Sequence, residues 1–118
     1  MAAPNVVGVT TITGKTAGLA VTTSKQAIVQ NLAASNQLFK INTLIAGNIT
    51  GGSVTVDVDV SKSGTQYRIA ESVNVPANST IVILSKDSAI YLEENDSLRI
   101  ASNTGSALEA ICSYEIIE

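Results

Sequence analysis

Ser53-Val54-Thr55-Val56-Asp57-Val58-Asp59-Val60-Ser61 sets the class of this chain. Four valines alternate without a fault against Thr55, Asp57 and Asp59. Side chains of a strand point to opposite faces with a period of two, so this segment reads as a strand with one face buried and one wet. Working outward, apolar runs of similar length recur, separated by Gly, Asn, Ser and Lys. Gln37 to Ile49 predicts a long strand with Phe39, Ile41 and Ile45 on one face. Gln66 to Val75 carries Tyr67, Ile69, Val73 and Val75, and Pro76-Ala77-Asn78 ends it because proline cannot donate to a ladder. Ile81-Val82-Ile83-Leu84 is apolar on both faces, as a covered central strand would be. Ala27 to Ala33, Ala89 to Leu92 and Ser97 to Ala101 give shorter strands. The last run places Leu108, Ala110, Cys112, Tyr114 and Ile116 on one face. No sustained helical period occurs anywhere.

The expected fold is therefore all-β: an antiparallel β-sandwich, jelly-roll or Ig-like, over residues 25–118. Residues 1–24 are Thr-rich and small, with little to bury, and read as an N-terminal arm or outer strand. Within that segment Val6, Val7, Val9, Thr11 and Ile12 form a β-branched run suited to adding along another subunit's sheet. These five are the candidate partner-binding residues.

The chain has 118 residues, enough for one domain with a single core. A net charge of −3 and a pI near 4.8 deny it the positive field that attracts phosphate backbones. Aromatics amount to 3% with no Trp, so base-stacking platforms are missing too. Nucleic acid is not an expected partner. No run approaches a bilayer span, and Met1-Ala2-Ala3-Pro4-Asn5 lacks the basic start and apolar core of a signal peptide, so a soluble cytoplasmic product is expected. The single cysteine, Cys112, reads as a small buried core residue. Glu109 and Glu115 nearby are the opposite of an activating environment.

Chemistry is sparse. No histidine exists, which removes Ser-His-Asp and Cys-His nucleophile activation and every imidazole metal site. Gly14-Lys15-Thr16 has the ending of a phosphate-binding loop, but Val9 stands where that loop needs glycine, and no helix start comes after it. Asp57 and Asp59 share a strand face, about 6.5–7 Å apart, and read as the solvated side of an amphipathic strand. Glu93, Glu94 and Asp96 cluster in a turn that reads as a charged hairpin, with calcium the alternative; their spacing matches no EF-hand loop. Lys62, Lys86, Arg68 and Arg99 read as solvated charges, the alternative being ion pairs between subunits. Sequons at Asn48, Asn78 and Asn95 matter only in a secretory pathway. No enzyme, cofactor or metal is expected.

Several segments, taken in order and spacing, resemble a known family. They are Thr11-Ile12-Thr13-Gly14-Lys15-Thr16-Ala17, Lys40-Ile41-Asn42-Thr43-Leu44 and Val75-Pro76-Ala77-Asn78-Ser79-Thr80, then Ile90 to Leu98 and Leu108 to Glu115. From Thr11 to the C-terminus the chain looks like small virion proteins of marine tailed bacteriophages, particularly phages of cyanobacteria. The resemblance implies a non-enzymatic structural component of the particle, made in the host cytoplasm, and carries over no catalytic or ligand residues. Within that class the expectation is a capsid decoration (cement) protein, binding neighbouring shell subunits and copies of itself. A neck, collar or tail position is the alternative, and a host-glycan-binding sandwich module is another, though exposed aromatics are few.

Overall fold

The computed structural model describes residues 11–118. In chain order the strands are β1 (Ile12–Ala20), β2 (Gln26–Gln30), β3 (Leu38–Asn48), β4 (Val54–Lys62), β5 (Thr65–Val75), β6 (Thr80–Leu84), β7 (Ile90–Leu92), β8 (Asp96–Ser102) and β9 (Leu108–Ile117), with a short 3-10 turn at Lys86–Ser88. The tightest connection organises the rest. Lys62 pairs with Thr65, and the two residues between them, Ser63 and Gly64, have φ of +50° and +93°. Positive φ at both central positions twists a two-residue turn to match its strands, and glycine takes that conformation at no steric cost.

Outward from this hairpin the two halves of the chain pair in nested order: β4 with β5, β3 with β6 and β7, β2 with β8, and β1 with β9. Rolling up that nested ladder adds the pairs β3–β9 and β4–β8 and splits the strands into two antiparallel sheets. One runs β1-β9-β3-β6, with β7 also on β3, and the other runs β2-β8-β4-β5. The fold is thus an antiparallel β-sandwich, and of the two arrangements expected it is the jelly roll.

Val54, Val56, Val58 and Val60 all face the core, as their alternation requires. Each fully buried valine contributes about 1.5–3 kcal/mol relative to an exposed one. They meet Leu44, Ala110 and Cys112 from the other sheet in one cluster. Phe39 and Tyr114 stack in it, with ring centroids 5.6 Å apart.

Facings in β3 and β6 differ from the sequence reading. Asn42 is an extra residue in β3, where the pairing with β9 shifts between Ile41 and Thr43. A bulge of this kind reverses the inward–outward parity of the remainder of its strand. Leu44 and Ala46 therefore take the core side, and Ile45, expected beside Phe39 and Ile41, turns outward opposite Ile111 and Val82. Strand β6, expected as a covered central strand, is an edge of its sheet, and Val82 is 64% exposed.

Buried asparagines tie down the loops. Asn48 donates from Nδ2 to the carbonyls of Gly52, Val75 and Pro76 while its Oδ1 accepts from Thr50 N–H and hydroxyl. Asn31 donates to the carbonyls of Gln37 and Leu92 and accepts from the Ser35 hydroxyl. Buried amides are retained where every polar group finds a partner. The Asn48 sequon is consequently closed to modification in the folded protein.

Candidate functional site

The register lays Asp59 of β4 directly opposite Arg99 of β8 and Arg68 of β5 on the outward side of the four-stranded sheet. Arg99 grips the carboxylate in a bidentate fork, Nε to Oδ1 at 2.8 Å and Nη2 to Oδ2 at 3.0 Å. Lys25, from the β1–β2 connection, adds Nζ at 2.6 Å, and Gln66 of β5 adds Nε2 at 2.7 Å. Under these caps Asp59 is 0% exposed. The expectation of a solvated carboxylate is corrected here: alternation set its face correctly, but long side chains from three neighbouring segments fold over it. Burial alone would raise its pKa, yet hydrogen bonds and charge from Arg99 and Lys25 hold the carboxyl below its ordinary value of 3.8. A carboxylate that accepts four hydrogen bonds and has a depressed pKa is a poor general base. The cluster is structural.

Asp57, its neighbour on that face, accepts the backbone N–H of Ser72. Ser72 has φ of +52° within a bulge of β5, so Asp57 secures a backbone kink. Of the basic residues weighed as intersubunit partners, Lys62, Arg68 and Arg99 are used within the chain. Lys62 reaches Glu93 and Asp96, each at 2.9 Å, and these contacts hold its ammonium above the ordinary lysine range. Asp96 also accepts the N–H of Glu93, closing the acidic turn. Arg68 pairs with Glu71 at 2.9 Å. The intersubunit alternative therefore loses Arg68, Lys62 and Arg99. Among the described residues no three His, Cys, Asp or Glu side chains are grouped as metal ligands.

Cys112 is buried, and desolvation pushes its thiol up to about 12. It should therefore resist alkylation in the native protein and react at the free-thiol rate only after unfolding. Rapid labelling of the folded chain by iodoacetamide, detected by mass spectrometry, would contradict this placement.

On the outward face of the five-stranded sheet, Ile111, Ile45 and Val82 lie side by side on β9, β3 and β6, with Ile111 45% exposed. Tyr67 and Tyr91 are exposed, Tyr67 to 58%. Of the candidate partner residues, Val6, Val7 and Val9 lie outside the described residues. Thr11 exchanges two backbone hydrogen bonds with Glu118, and Ile12 pairs with Ile117. On that side both are taken up by their own sheet. The reason is the nested roll, whose last pair needs β1 to cover β9. Alternation could place Asp59 and the valines, but Lys25, Gln66, Asn31 and Asn48 carried no periodic signal.

No protein-family model matches the chain, and no curated protein matches it. Among solved structures it is similar to a pentameric capsid protein isolated from metagenomic phage sequences, seen in two crystal structures. The matches have 12% and 13% identity, TM-scores of 0.41 and 0.40, and cover 85% of this chain in each case. This chain spans 60% and 58% of the length of those proteins. A third similar structure is that of the CBM22-1 and GH10 modules of Clostridium thermocellum endo-1,4-beta-D-xylanase 10B complexed with xylohexaose. It is 14% identical with a TM-score of 0.30, over 87% of this chain and 26% of that one.

Proposed function

We propose that this protein is a non-enzymatic structural component of a tailed-phage virion, a decoration protein seated on the capsid shell against neighbouring shell subunits. The observation that carries the reading is the solvent-facing apolar row Ile111–Ile45–Val82, contributed by three adjacent strands of one sheet. Contiguous apolar surface on a small domain marks a contact to another macromolecule. A rigid sandwich presents such a row without a conformational change, and many copies on a shell combine modest contacts through multivalency. The sequence resemblance to phage virion proteins supplies the class of partner. Residues Val6 to Val9 belong to this reading as a segment that adds to a neighbouring subunit.

Quantitative mass spectrometry of purified particles tests it. The protein should copurify in proportion to the shell subunits, and Ile111→Lys with Val82→Lys should abolish incorporation without changing the melting temperature. A copy number of only a ring's worth would move the protein to the neck or tail, and absence from particles would end the virion reading.

A further inference from the structure

We infer that the outer edge of β1, which no described strand covers, is a self-association site, where two copies pair β1 against β1 in antiparallel register about a two-fold axis. Edge regularity, ladder phase, register and shape all lead there.

Most edges of the two sheets are guarded. β2 carries an extra residue at Ile28, β6 one at Ile83, and β5 is irregular at two places between Val56 and Asp59 of its partner. β7 is three residues long. Bulges and shortness are how sheets blunt an edge against pairing. β1 has neither: its nine residues match β9 one for one from Ile12–Ile117 to Ala20–Glu109. It holds one charge, Lys15, and no proline. A regular edge of about 30 Å thus carries no bulge or proline, and among the described edge strands its only equal in regularity is β1 of a second copy.

The phase of the ladder leaves that edge without partners among the described strands. Thr11 exchanges both its hydrogen bonds with Glu118, and Val21 N–H donates to Leu108. In an antiparallel pair alternate residues bond to alternate sides, so odd-numbered residues face β9. Ile12, Gly14, Thr16, Gly18 and Ala20 then direct their N–H and C=O groups outward, with no partner among the described strands.

One register suits the pair. Setting Thr16 opposite Thr16 of the second copy overlaps all nine residues, so each outward N–H and C=O is satisfied. It also sets Lys15 opposite Ala17, whereas centring on Lys15 would oppose two ammonium groups directly.

Shape agrees with that register, which brings Ile12 of one copy opposite Ala20 of the other, on the same face of the sheet. Ile12 is 56% exposed. Ala20 lies in a shallow hollow of about 250 Å³ lined by Gly18, Leu19, Ala20, Glu109, Ala110 and Ile111. No heavy atom lies within 4 Å of where a Cβ would stand on Gly18. An isoleucine side chain over this hollow is received without displacing anything, and the two-fold axis repeats the contact at the other end. An isologous interface requires this self-complementarity. One strand edge with two apolar plugs is small beside a standard interface, so the dimer is a weak, concentration-dependent one.

The β1 pairing stands or falls independently of the virion reading, because purified protein alone tests it. Sedimentation velocity across a concentration series should show a reversible monomer–dimer equilibrium. Ile12→Ser should weaken it roughly tenfold or more. Thr16→Pro removes an outward N–H without touching the β9 ladder, and should give a monomer with wild-type melting. If that variant misfolds, Thr16→Lys serves instead, placing two like charges at the axis and again giving a folded monomer. Thr16→Cys should form a covalent dimer on mild oxidation, with the buried Cys112 silent. A wild-type chain monomeric up to its solubility limit overturns the proposal. So does a dimer or larger ring that Thr16→Lys leaves intact, or one in which Thr16→Cys fails to cross-link.

Discussion

Arg99→Leu should cost about 2–3 kcal/mol at neutral pH and move acid unfolding to higher pH. The cost comes from the charge that the substitution leaves behind. Asp59 stays buried with only Lys25 and Gln66 as donors, and half of its charge compensation is gone. Removing one partner of a buried pair is costly because the remaining charge was desolvated on the strength of that pair. Asp59→Asn should cost less, because Lys25 and Arg99 keep partial access to water and can rehydrate.

The same contacts set the pH dependence. The folded carboxyl sits below 3.8, its ordinary value, because the Arg99 and Lys25 contacts outweigh burial. A depressed folded pKa gives stability that is complete above the unfolded value and is lost as pH falls through the folded one. Wild-type stability from this group should therefore hold down to about pH 4. In Arg99→Leu the folded value rises, so less of this stability exists at neutral pH and less is lost in acid; the variant unfolds at higher pH because it starts from a smaller margin. Chemical denaturation monitored by circular dichroism between neutral and acid pH measures both effects. Coincident curves for the two proteins would mean that Lys25 and Gln66 suffice.

Local alternation made part of this molecule legible in its sequence. The valine strand, the run from Leu108 to Ile116 and the absence of helical period pointed to the sandwich and its two inner faces. Inferences that need a partner strand failed. Alternation in the long strand broke at Asn42 because a bulge is defined by two strands together. Ile81 to Leu84 is apolar on both faces in a covered strand and also in an edge strand that exposes Val82 for contact. Asp59 had the right face and the wrong environment, since its caps come from residues 34 and 40 positions away in sequence. The candidate surface was legible only in part. Residues 1–24 read as an arm or outer strand with edge pairing placed on Val6 to Ile12, and the hollow and outward ladder phase of β1 exist only once β9 lies beside it.

Val56→Asp tests the deepest of these assignments and should have the largest effect, about 3–5 kcal/mol or an outright failure to fold. Val56 is fully buried on a central strand, opposite Ser102 on one side and Val73 on the other. A carboxylate there loses its water and meets an apolar cluster, with no arginine arranged to receive it as Arg99 receives Asp59. Small domains hold only about 5–15 kcal/mol in all, so such a loss removes much of the margin. The new carboxyl should have a raised folded pKa, so its pH response runs opposite to that of Asp59: the variant is most stable in acid and weakens as pH rises. Thr55→Asp is the matched control. It introduces the same carboxylate one residue away, on the outward face, and should shift stability by no more than about 0.5 kcal/mol. Equal melting temperatures for Val56→Asp and wild type at neutral pH would mean that the strand faces the other way, and the nested roll built on it would fall with that facing.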